Sequence, residues 1–307
     1  MNTMELKHLH KSFGKVKAVD DVSLVIPSGE IFGLIGRNGA GKTTTIRMIM
    51  DIFKPDSGEI VFQGEPHNAS FRDRVGYLPE ERGLYGKMGV LDTLLFFAEI
   101  KSMREDVARP KAMHYLNRFG LAERINDKVE TLSKGNQQKV QFIAAILHDP
   151  QLIILDEPFS GLDPVNTTLM INMINELREQ GLAILFSTHI MDFAEKLCDH
   201  IALIDNGQII LEGSVSEIKQ QHDQSAVNVV SDGDLTFLAE LPYVTATEAD
   251  GEAYSISVDN RDSVQRLLGD LVSRGVTVKK FDAMPVTLHD IFVIHAGHGE
   301  ETPGEGL

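Results

Sequence analysis

The chain reads as an α/β protein with a mostly parallel central sheet, followed by a small α+β domain. Three observations predict this. Leu152-Ile153-Ile154-Leu155 is a run of four aliphatics, which suits a strand buried on both faces of a parallel sheet and not an alternating edge strand. A second apolar run, Ile31-Phe32-Gly33-Leu34-Ile35, leads through a glycine-rich loop into a helix-forming stretch over 44–53. Beyond residue 220 the texture shifts to short strand-like runs alternating with helical ones.

Residues 1–30 alternate apolar stretches with turns at Phe13-Gly14 and Ile26-Pro27-Ser28-Gly29, the pattern of antiparallel strands flanking a site. The loop that follows, Gly36-Arg37-Asn38-Gly39-Ala40-Gly41-Lys42-Thr43-Thr44, has the G-x-x-x-x-G-K-T spacing of the Walker A phosphate-binding motif. Glycines let backbone N–H groups wrap a phosphate, and the helix N-terminus adds a favourable dipole. Lys42 is expected to reach the β- and γ-phosphates, and the Thr43 hydroxyl to ligate Mg²⁺. The strand at 152–155 ends in Asp156-Glu157. Ligands collect at the carboxyl ends of strands in open α/β sheets. Asp156 is therefore expected to anchor Mg²⁺, directly or through its shell, and Glu157 to act as general base or water-orienting group.

Between these two elements lies a helical insert, with an apolar stripe over 91–103 and helical patterns at 112–119 and 139–147. Its last helix opens on Leu132-Ser133-Lys134-Gly135-Asn136-Gln137, which closely resembles the LSGGQ signature of ATP-binding cassette (ABC) ATPases. Ser-x-Gly at a helix start makes an anion site from a hydroxyl and free N–H groups. The resemblance implies that Ser133 and Gly135 close on ATP held by an opposite subunit. It further implies that Phe13 stacks on adenine, that Ser160-Gly161-Leu162-Asp163 is the D-loop, and that His189 in Ser187-Thr188-His189 contacts the γ-phosphate. Six elements stand in the family's order over residues 1 to about 218. The fold implied is the ABC-type P-loop NTPase, with antiparallel N-terminal strands and a helical subdomain over about 82–148.

Two elements depart from the family pattern. After Gly76-Tyr77-Leu78-Pro79 the usual Gln is Glu80. A carboxylate can ligate Mg²⁺ but cannot donate an amide hydrogen bond, and it adds negative charge. The run Pro79-Glu80-Glu81-Arg82-Gly83-Leu84-Tyr85 resembles the ATPases that serve ABC-2 type exporters. In the signature, Lys134 and Asn136 replace Gly and Gln. Lys134 either adds a cation near the γ-phosphate or points to solvent, and solvent is the favoured reading.

Composition narrows the class. A net charge of −16 with 29 Lys and Arg argues against a nucleic-acid surface and against broad adhesion to anionic lipid. No apolar run approaches the 18 or more residues of a membrane span, and the first residues show no secretory h-region. A single cysteine, Cys198, excludes an internal disulfide framework and agrees with a reducing cytoplasm.

Residues 1–220 are assigned to the ATPase domain, with 219–225 as a polar linker and 221–296 as the accessory domain. The accessory domain is expected to carry strands at 226–230, 254–258 and 276–281, a helix at 264–271 and a short helix at 237–241. From residue 221 onward there are 15 Asp and Glu against 5 Lys and Arg. No nucleophile–base pair occurs there, so regulation or dimerisation is expected and not catalysis. The region resembles the C-terminal domain of ABC-2 exporter ATPases, with Leu288-His289-Asp290-Ile291-Phe292 near its end. His295 and His298 have metal-pair spacing, but a solvated tail is favoured, and 297–307 reads as disordered. The resemblance implies a cytoplasmic ATPase that binds ATP and Mg²⁺, pairs with a second copy or paralogue, and sits on the inner membrane face through ABC-2 type permease subunits. A soluble ABC ATPase of translation or DNA repair is the alternative, but such proteins usually carry two cassettes or long coiled-coil insertions, absent here.

Overall fold

The computed structural model describes residues 2–68, 70–81, 83–222, 226–232, 235–250, 253–284 and 286–296. The tail read as disordered lies outside these residues, as do Arg82, His298 and the last part of the expected linker. The chain divides into two compact units, Met1–Gly213 and Ser214–Leu307.

The first unit contains β1 (Asn2–Phe13), β2 (Val16–Pro27), β3 (Ile31–Ile35), α1 (Lys42–Ile49), β4 (Ser57–Phe62), β5 (Glu65–Pro66), α2 (Phe71–Arg74) and β6 (Val75–Leu78). Then come α3 (Val90–Ile100), α4 (Glu105–Arg118), α5 (Lys134–Ile146), β7 (Leu152–Asp156), α6 (Pro164–Glu179), β8 (Ala183–Thr188), α7 (Met191–Leu197), β9 (His200–Asp205) and β10 (Gln208–Ser214). An antiparallel sheet of order β2-β1-β4-β5 accompanies a six-stranded sheet of order β10-β9-β3-β8-β7-β6. Strands β3, β6, β7, β8 and β9 run parallel where they pair. Every residue of β3, β7 and β8 is buried, which is why their sequences are unbroken apolar runs until the site residues begin. Leu6, Leu24 and Ile60 of the antiparallel sheet share one core with Phe32, Leu34, Ile154 and Leu185. Burying each such side chain is worth roughly 1.5–3 kcal/mol.

The helical insert forms as expected, with the buried faces Val90, Leu94 and Ala98 of α3, Ala108, Ala112 and Leu116 of α4, and Val140 and Ile143 of α5. Helix α4 starts at Glu105, before the pattern recognised from 112, because Pro110 sits inside it and blurs the periodicity.

The second unit contains α8 (Val215–Gln221), β11 (Ala226–Asp232), a 3₁₀ turn over Thr236–Glu240, β12 (Val244–Asp250), β13 (Ala253–Val258), α9 (Arg261–Ser273), β14 (Thr277–Met284) and α10 (Leu288–Ala296). Its antiparallel sheet has the order β12-β13-β11-β14. Val227, Val229, Ile256 and Val258 of the sheet pack on Leu267 and Leu271 of α9. Residues 219–221 belong to a helix and not to a linker. Ser214 and Glu217 form a reciprocal capping box that starts α8, and Ile218 buries its apolar side. The division thus falls after Gly213 and not after Gln220. His295 does not act alone, for its Nε2 lies 2.8 Å from Nε2 of His222. Among the described residues, no group of three or more His, Cys, Asp or Glu is placed to hold a metal.

Candidate active site

Four neighbouring parallel strands, in the order β3-β8-β7-β6, release their loops at the same edge of the sheet. The register pairs Ile35 with Thr188, Asp156 with Ser187, and Leu78 with Leu155. That alignment brings the glycine loop, Asp156-Glu157, His189 and Glu80 to one edge although they are far apart in sequence.

The glycine loop is shaped by close approach. A Cβ on Gly36 would stand 2.3 Å from the Ile204 carbonyl oxygen, and one on Gly41 would stand 2.5 Å from that of Ala18. Gly41 also has φ of 114°, outside the range of ordinary side chains. Helix α1 begins at Lys42 with no side-chain cap and no acid in its first turn, so its first N–H groups remain available to an anion. Lys42 is buried, and its Nζ donates to the carbonyls of Gly36 at 2.7 Å and Arg37 at 3.1 Å. Burial lowers its pKa, opposed by the charges of Glu157, Asp156 and Glu80.

Asp156 is 1 % exposed at the end of β7. The Ser187 hydroxyl donates to its Oδ1, while its Oδ2 is buried with no hydrogen-bond partner among the described residues. Burial raises its pKa, with the carboxylates of Glu80 and Glu157 adding to the rise. A buried carboxylate oxygen without a donor is the place a cation fills. Glu157 adopts the left-handed φ of 49°, which turns its side chain out of the strand line. It accepts from the Thr188 hydroxyl at 3.1 Å, the His189 N–H at 2.9 Å and His189 Nδ1 at 2.7 Å.

Asn38, Gly39, Gly41, Lys42, Thr43, Thr44, Glu80 and Glu157 line one cleft of about 340 Å³. Gly36 and Ala40 are buried behind it. The oxygen donors of Thr43, Asp156 and Glu80 fit Mg²⁺, a hard cation that takes one or two protein carboxylates and completes its shell with water and phosphate. Phe13, Ser133 and Gly135 do not line this cleft. Phe13 is 46 % exposed at the end of β1, with its ring edge-on to Phe53 at 5.4 Å. Ser133 caps α5, accepting from Asn136 N–H at 3.3 Å, and Gly135 packs by Leu162 of the D-loop. Lys134 is exposed, as the solvent reading expected.

Sequence reasoning assigned no role to Ser187 and Thr188, whose hydroxyls hold the two acids. Their signal was two hydroxyl residues ending an otherwise apolar strand. Gln138 was also missed, and its amide donates to the Pro158 carbonyl beside Glu157 at 3.1 Å.

The family model described as "ABC transporter" matches residues 19–160, and that described as "ATP-binding protein DrrA1-3-like, C-terminal domain" matches residues 213–296. The uncharacterized ABC transporter ATP-binding protein YhaQ of Bacillus subtilis (strain 168) is 42% identical over 294 residues, covering 96% of this chain and 98% of the relative. The Nod factor export ATP-binding protein I of Burkholderia pseudomallei (strain K96243) is 32% identical, covering 94% of this chain and 95% of the relative. A solved structure, described as that of an ATP binding subunit of an ABC transporter, superposes with a TM-score of 0.67 at 33% identity, over 72% of this chain and 93% of that one.

Proposed function

Because the chain belongs to the ATP-binding subunits of ABC transporters, whose members bind and hydrolyse ATP with Mg²⁺, we propose that it is the motor of an exporter. The observation that carries the reading is the cleft where loops from three strands of one sheet, β3, β6 and β7, bring together Lys42, Glu80 and Glu157, with Asp156 Oδ2 unpartnered among the described residues.

The residues divide the work as follows. Backbone N–H groups over Gly36, Asn38, Gly39, Ala40, Gly41, Lys42, Thr43 and Thr44 cradle the phosphates, and Lys42 Nζ leaves its loop carbonyls for the β- and γ-phosphate oxygens. Thr43 and Asp156 hold Mg²⁺, with Glu80 as a third oxygen donor. When bound, Mg²⁺ draws charge away from the β- and γ-phosphates. Glu157 orients the attacking water and accepts its proton, while His189 steadies Glu157 and contacts the γ-phosphate. Phe13 stacks on adenine. Ser133 and Gly135 complete the site of a second copy, which their absence from their own chain's cleft supports.

No described helix is long and apolar enough to cross a membrane. We place the chain at the inner membrane face, held there by ABC-2 type permease subunits. A mostly apolar groove of about 300 Å³, lined by Tyr77, Pro79, Leu84, Phe97 and Ile100, lies along the loop that carries Glu80. Tyr85 beside it is 56 % exposed, with its ring edge-on to Phe96. A short permease helix seated there would read the state of Glu80. The export reading rests on the relative named for export and on the DrrA-like second unit. Tyr85→Ala in the assembled transporter should lower transport far more than basal ATPase rate. Equal losses of both would remove the support for this docking site.

A further inference from the structure

We infer that Glu80 makes nucleotide binding conditional on the divalent cation, so that the cleft admits a triphosphate only together with its metal. The inference deepens the nucleotide-binding reading above and rests on it.

The cleft's own charge points this way. Among its lining residues one cation, Lys42, faces two carboxylates, Glu80 and Glu157. Asp156 adds a third beneath them, closed to solvent. The charges of all three reach Lys42, and those of Glu80 and Glu157 reach Asp156. Three carboxylates against one ammonium leave the site negative before any phosphate arrives. Backbone N–H groups of the loop and α1 offset part of this, but they are dipoles and not charges.

The carboxylates differ in how they are held. Glu157 accepts three hydrogen bonds from Thr188 and His189, and Asp156 accepts one from Ser187. Among the described residues, nothing donates a hydrogen bond or ion pair to Glu80, and it is exposed at the mouth of the cleft. A free carboxylate at the mouth repels the triphosphate of uncomplexed ATP, at short range and with little screening. The same carboxylate attracts a divalent cation and can ligate it. One residue therefore penalises metal-free nucleotide and rewards the metal complex. A glutamine at this position would keep an oxygen donor for the metal without the repulsion. Reciprocity follows, since nucleotide must raise the site's metal affinity by the factor that metal raises its nucleotide affinity.

The test is calorimetric titration of the full chain with ATP, once in EDTA and once in Mg²⁺, for wild type, Glu80→Gln and Glu80→Ala. Wild type should bind MgATP and bind metal-free ATP far more weakly. Both variants should bind metal-free ATP about tenfold more tightly than wild type, within the usual size of coupling between two ligands. Glu80→Gln, which keeps an oxygen but loses the charge that attracts the cation, should lose some MgATP affinity, and Glu80→Ala should lose more. Equal metal-free affinities in all three proteins would overturn the inference. So would a Glu80→Ala variant that loses affinity equally in both media, because that would make Glu80 a structural support. Absence of ATP binding by wild type in both media would instead overturn the nucleotide-site reading, and the inference with it.

Discussion

Glu157 accepts hydrogen bonds from both the backbone N–H and the ring Nδ1 of His189, at 2.9 and 2.7 Å. An ionised carboxylate only accepts, so His189 Nδ1 carries the hydrogen and Nε2 is the nitrogen left for another partner. The Thr188 hydroxyl adds a third donor at 3.1 Å and also accepts from the Ile190 N–H at 3.1 Å. The acid leaving β7 and the loop leaving β8 are thus one hydrogen-bonded unit, and displacement of His189 must disturb Glu157.

Assembly gives the first prediction. Ser133 caps α5 and is exposed, outside its own chain's cleft. If it closes on a second copy's nucleotide, Ser133→Arg should block that contact while leaving the monomer folded. In a background whose hydrolysis is stalled, sedimentation with ATP should show dimers, and Ser133→Arg should show monomers. ATP-dependent dimers persisting in the variant would contradict the trans arrangement.

A second prediction concerns acid stability. Burial pushes the His148 imidazole down to about 4, and the nearby Lys101 ammonium adds to the effect. Its Nε2 donates to the Val75 carbonyl at 3.3 Å. An unfolded histidine titrates near 6.5. Between about pH 4 and 6.5 the unfolded chain therefore holds more protons at this residue than the folded one. The stability from the neutral ring is complete above about pH 6.5 and is lost as pH falls toward 4. His148→Gln should flatten the acid side of the stability curve, by at most about 1.4 kcal/mol per pH unit. Denaturant midpoints of wild type and variant across that window check it, and parallel curves would show that His148 does not contribute.

How much of this was legible in the sequence follows from how each feature is made. The buried strands β3, β7 and β8 announced themselves, because a strand covered on both faces must be apolar throughout. Strand β12 did not. Val-Thr-Ala-Thr-Glu-Ala-Asp lies at the sheet edge, and only Val244 among its described side chains is more than superficially covered, so no apolar alternation marks it. Helix α8 was hidden by polar composition, although its Ser214–Glu217 capping box stood in plain view. The phosphate loop and the two acids were visible as local motifs. The Glu157–His189 bond was not, because it joins residues 32 positions apart and depends on the parallel register of β7 and β8.

The corrected division gives a third prediction. A truncation at Gly213 keeps both sheets of the first unit and all the cleft residues, whereas one at Gln220 strands α8 without the second unit it belongs to. Residues 1–213 should be soluble and hydrolyse ATP. A folded, soluble truncation without hydrolysis would show that the second unit contributes to the active site.

Glu157→Gln tests most directly whether Glu157 is the general base of ATP hydrolysis. The amide keeps the shape, and its oxygen can still accept from the His189 N–H and Nδ1, while its NH2 faces the Thr188 hydroxyl as a donor; it cannot take a proton from water. MgATP binding should stay within about threefold of wild type, and phosphate release should fall at least about 10²-fold, the usual contribution of a general base. Phosphate release at the wild-type rate from a folded Glu157→Gln protein would contradict the general-base role.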